Sequence, residues 1–90
     1  MSSNITYKFN EVKYINEVKN HIDSTYTQHY SHGNVQATDL IAASGNGKGF
    51  CIGNIIKYAS RFGKKEGENR KDIIKIIHYC IILLSIIDKK

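Results

Sequence analysis

The 90-residue sequence predicts an all-α domain: a small bundle of about four helices that oligomerises through an apolar C-terminal helix. Three observations point there. Apolar residues recur at three- and four-residue spacing, the period of an amphipathic helix. No proline interrupts these stretches, and Gly45 and Gly63 stand where two of them would end. The last stretch, KDIIKIIHYCIILLSIIDKK, is apolar around more than half its circumference, more than a chain this short can cover alone.

Residues 1–9 read as an arm and 10–90 as one helical domain. Asn10 suits an N-cap, and Val12, Ile15, Val18 or Lys19, and Ile22 carry a first helix to Asp23 or Ser24. STYTQHYSHGN follows as a loop. A short second helix, Thr38 to Ala43, ends at Ser44-Gly45 in the manner of a glycine C-cap. A third spans Phe50 to Phe62. On a wheel of 100° per residue, Ile52, Ile55, Ile56, Ala59 and Phe62 fall on its apolar side, and Phe50, Asn54, Lys57, Tyr58 and Arg61 on the other. Gly63 terminates it, a charged turn leads to Arg70, and a fourth helix runs from about Lys71 to Ile87 with one mixed stripe, Lys75, His78, Ile82 and Ser85. That helix is too short and too interrupted to span a membrane, which takes roughly 20 mostly apolar residues.

The glycine-rich stretch SGNGKGFCIGN, Ser44 to Asn54, raises the question of a phosphate loop. A true one needs a Ser or Thr after its lysine and a strand feeding it. Here Lys48 precedes Gly49, the glycine spacing is too short, and a helix precedes the turn, so the motif is rejected. A glycine turn at Lys48 and Gly49 opening a helix still offers unpaired N–H groups and a dipole to an anion.

Net charge is +5 and regional: between Lys48 and Lys75 stand eight basic residues against Glu66, Glu68 and Asp72, while the remainder balances. This predicts an anionic ligand or partner in that region, although RFGKKEGENRKD alone reads as a solvated loop. Cys51 and Cys80 lie in apolar runs, as small buried residues of a reducing cytoplasm.

Within that region the polar face of the third helix is the strongest site signal. Lys57 and Arg61, four residues apart, repel each other and an anion would relieve that. Arg supplies a planar fork, Lys a point charge, Asn54 an amide, and Phe50 or Tyr58 a ring for a base. Periodicity alone leaves a solvated face equally open. His29 and Tyr30 read as a polar or stacking pair on a loop. His29 and His32 have no partner ligand at metal spacing, so neither metal nor cofactor is expected. Asp39 and Asp72 are explained as first-turn carboxylates, and no nucleophile signature stands out.

The order His29-Tyr30, Gly33, Gly49-Phe50, Gly53-Asn54, Lys57-Tyr58, Arg61, Lys64 or Lys65, Asp72, Lys75 and Tyr79 resembles a small tailed-phage family of unknown function. It covers about residues 29–87, with GFCIGNIIKYASRFGKK as its specific core. Its members include the C-terminal part of a phage nucleotide kinase. The resemblance implies phage origin, action in the host cytoplasm and handling of nucleotides, and carries Gly49, Phe50, Asn54, Lys57, Tyr58 and Arg61 over as site residues.

The expectation is therefore a binder of a phosphate-bearing nucleotide or nucleotide-derived molecule, sequestering a host defence signal, at His29, Tyr30, Lys48, Gly49, Phe50, Asn54, Lys57, Tyr58 and Arg61. Phosphoryl transfer needs an in-line donor and acceptor with metal or several cations, and one compact cationic cluster fits a single ligand better. A nucleotide kinase is the alternative. A nucleic-acid accessory protein comes third, with weak, salt-sensitive binding only.

Overall fold

A computed structural model of the chain describes residues 4–27 and 37–89. Among them lie four helices and no strand: α1 (Glu11–Thr25), α2 (Ala37–Ala43), α3 (Gly47–Arg61) and α4 (Arg70–Asp88). The all-helical expectation holds.

The helix ends follow local chemistry, with two corrections. Asn10 precedes α1 as expected, but its side chain caps nothing. It takes a left-handed backbone (φ 62°), which Asn tolerates, while its carbonyl accepts from the Lys13 N–H at 3.0 Å. Glu11 Oε1 instead accepts from the Phe9 N–H at 3.0 Å. The C-terminus of α2 is the expected glycine cap: Gly45 is left-handed (φ 88°), its N–H donates to Ala42 O, and the Asn46 N–H reaches back to Ile41 O.

The second correction concerns α3, which starts three residues before Phe50, so Gly47, Lys48 and Gly49 form its first turn rather than a free loop. Gly47 is buried. A Cβ there would lie 2.8 Å from Ile86 Cδ1 and 3.2 Å from Ala42 Cα. This glycine exists for close packing of α3 on α2 and α4, not for a phosphate. At the other end, the loop into α4 closes on itself through Gly63 N–H to Gly67 O at 2.8 Å, and the Asn69 side chain caps α4 by accepting from the Lys71 N–H.

α3 and α4 form the main contact, with α2 against α3 and α1 on α4. They run antiparallel, Gly47 meeting Ile86 while Tyr58 meets Tyr79 and Lys75. The buried apolar residues are Val18, Cys51, Tyr58 and Ile74. This overturns the expected facing of α3. Ile52 and Ile56 are 48% and 61% exposed. The buried line runs through Gly47, Cys51 and Tyr58, which fall within about 40° on the wheel. Small residues let the backbones approach, and the Tyr58 ring then fills the seam; packing geometry outweighed aliphatic count.

On α4, Asp72 and Ile74 are buried, whereas Ile73, Ile77, Ile81, Leu84 and Ile87 stay exposed along one side. Cys80 is exposed too, against the expectation of burial. Two contacts add to Val18 in holding α1: Arg70 grips Glu17 with Nε–Oε2 and Nη2–Oε1 distances of 2.8 and 2.6 Å, and the His21 and His78 rings meet edge to face at 5.6 Å. Among the described residues no helix is long and apolar enough to cross a membrane.

Candidate anion site on the α3–α4 seam

Tyr58 organises the site. It lies in the last turn of α3, buried, and stacks on Tyr79 of α4 with centroids 6.2 Å apart and planes 16° from parallel. Phe50, two turns earlier on α3, meets the edge of the same Tyr79 ring at 5.8 Å. Burial first, then Tyr58 and Cys51, push the Tyr79 phenol above its ordinary range, which keeps it neutral at pH 7.

Three cations converge on Tyr58. Lys57 Nζ lies 4.9 Å from the ring centroid, Lys75 Nζ 5.1 Å and Arg61 Cζ 5.5 Å. Each is within cation–π reach, worth about 0.5–1 kcal/mol at exposed sites, yet three like charges around one ring repel one another. The ion pairs Lys19–Asp23 and Arg70–Glu17 involve none of the three. A phosphate between them would relieve the repulsion and accept from both the guanidinium fork and the ammonium groups.

The sequence-derived set divides accordingly. Phe50, Asn54, Lys57, Tyr58 and Arg61 share the seam. Asn54 is half-buried and its Nδ2 donates to Phe50 O at 2.9 Å. Tyr58 is buried against Tyr79, so it positions cations instead of offering an open face to a base. Lys48 and Gly49 are not brought to this cluster. Gly49 is nine residues before Tyr58, roughly 14 Å along the axis and half a turn round it, and a Cβ there would touch nothing within 4 Å. His29 and Tyr30 lie outside the described residues. Lys75 and Tyr79 were missing from the set, although both stand in the residue order that carries the family resemblance. No group of His, Cys, Asp or Glu among the described residues could hold a metal ion.

A family profile described as a protein of unknown function, DUF3310, matches residues 24–80, more than half the chain. The chain belongs to that family. The DUF3310 match takes in α2, α3, their joint and α4 as far as Cys80, hence every residue of the Tyr58 cluster, and leaves α1 outside except for its last two residues. No curated protein and no solved structure matches the chain.

Proposed function

We propose that this DUF3310 protein binds a phosphate-bearing nucleotide or nucleotide-derived small molecule at the seam of α3 and α4, with Lys57, Arg61 and Lys75 as the anion clamp and Tyr58 and Tyr79 as its rigid support. The observation that carries this reading is the convergence of three cations on one buried ring. Asn54 would add polar contacts to the ligand, and Phe50 a half-buried ring at its edge.

The biological reading follows the tailed-phage resemblance. The protein acts in the host cytoplasm and sequesters a host nucleotide signal, working against defence. Copies associate through α4, whose exposed isoleucines need a cover.

A nucleotide kinase is the second reading. It draws support from Asp72, an acid buried in the first turn of α4, three residues before Lys75 and so on a neighbouring part of the same face. Incubation with a panel of mononucleotides, dinucleotides and cyclic nucleotides, with and without ATP and magnesium, followed by chromatography, separates the two. Ligand retained by the protein and recovered unchanged is the expected result. Multiple turnover to a phosphorylated product means a kinase, and no retention of any member sinks the binding reading.

A further inference from the structure

Beside the seam, α1 and α4 enclose an open apolar groove of about 680 Å³. Its walls include Phe9, Ile15 and Ile22 from one side and Ile77 and Ile81 of α4 from the other. Phe9 is 71% exposed and Ile15 65%, high for large apolar side chains on one surface. The charged lining residues are Glu11 and Lys19, both exposed and of opposite sign. They stand four residues before and four residues after Ile15 on α1.

That spacing selects an occupant. Two copies of α1 related by a two-fold axis at Ile15 run antiparallel, as an isologous contact requires. Residue numbers facing each other across the axis then sum to about 30. Ile15 meets Ile15 of the second copy, Glu11 meets the second copy's Lys19, and Lys19 meets its Glu11. A parallel neighbour would put like beside like.

We infer that a second copy of this chain fills the groove, its α1 lying antiparallel across α1 and over Ile77 and Ile81, with two Glu11–Lys19 pairs closing the ends. This rests on the reading that copies associate, and it adds which helix is shared and where the axis lies. α1 lies almost wholly outside the DUF3310 match, so this pairing is separable from the Tyr58 cluster.

The test is a charge swap read by sedimentation velocity at low salt. Wild type is expected to be a dimer. Ile15→Glu should abolish it. Glu11→Lys and Lys19→Glu should each weaken dimerisation about tenfold, since each turns two attractive contacts repulsive, and the effect should shrink as salt screens it. The double variant Glu11→Lys/Lys19→Glu should restore dimerisation. Each single change also disturbs its own helix, through Phe9 N–H to Glu11 and Lys19 to Asp23 at 2.9 Å. The double variant loses both of those internal contacts, so recovery can come only from between the copies. Monomeric wild type overturns association altogether. A dimer indifferent to Ile15→Glu leaves association through α4 standing and overturns this interface, as does a double variant no better than the singles. Helical circular dichroism of every variant guards against misfolding.

Discussion

The α3–α4 pair and α1 are both helical, but they are held in different ways. Most of the buried apolar side chains belong to the pair: Cys51, Tyr58 and Ile74, with Gly47 allowing the backbones to close. α1 contributes Val18 and is otherwise kept in place by an exposed ion pair and one contact between half-buried imidazoles. A seam built on rings and small residues can hold cations at fixed distances. A helix held mainly by charge and imidazole contacts responds to pH and salt, and leaves its apolar side for something else to cover.

The largest expected effect is Tyr58→Ala, which removes a buried ring from the seam. Such truncations cost about 3–5 kcal/mol, a large share of the roughly 5–15 kcal/mol that holds a domain together. Urea denaturation should put the midpoint far below wild type, whereas Val18→Ala should lose much less. Equal losses would erase the distinction between the two regions.

The glycines sharpen it. Gly47→Val should destabilise by about 1–3 kcal/mol through overpacking against Ile86 and Ala42. Gly53→Ala, where a Cβ meets nothing within 4 Å, should stabilise by up to about 1 kcal/mol through helix propensity. Thermal denaturation of both would expose a mistaken packing of α3 if the signs came out reversed.

Acid should act on α1 first. Burial holds both His21 and His78 below the ordinary imidazole value of 6.5, with Lys75 and Lys71 adding to the effect on His21 and His21 itself on His78. Below about 6.5 the unfolded chain therefore takes up protons that the folded chain refuses. The stability contributed by the neutral pair is complete above that pH and declines as pH falls beneath it. Glu17 acts in the same direction lower down: its hydrogen bonds from Arg70 hold it under 4.5, and that support disappears as pH falls through its lowered value. Hydrogen exchange at pH 7.5 and 5.0 should show α1 losing protection before α3, and uniform loss would count against the loose attachment.

The smallest effect belongs to Glu17→Gln. The pair with Arg70 is exposed and screened, so its loss should lower the melting temperature slightly at low salt and not at all at 1 M.

Much of this fold was legible from the chain. Period and breakers located all four helices, and Gly45 and Gly63 were read as their ends because left-handed backbone is cheap only for such residues. What failed was the facing of α3. Ile52 and Ile56 marked an apolar side by composition, but a seam is chosen by what fits opposite it, and Tyr58 on Tyr79 with Gly47 under Ile86 is a property of two helices at once. Lys57, Arg61 and Tyr58 were visible as one face for the same reason that Lys75 was not: three of the four share a helix. Glu17 and Arg70, 53 residues apart, carried no local signal at all.

The proposed clamp of Lys57, Arg61 and Lys75 around Tyr58 can be broken by calorimetric titration with the nucleotide retained best by the wild type. Lys75→Ala and Arg61→Ala should each weaken binding by roughly ten- to a hundredfold, about 1.5–3 kcal/mol for a charge-assisted contact, with helicity unchanged. Lys89→Ala, at the far end of α4, should bind as wild type. Wild-type affinity in both Lys75→Ala and Arg61→Ala, or a loss that appears only in Lys48→Ala, would rule out the clamp and move the site away from the seam.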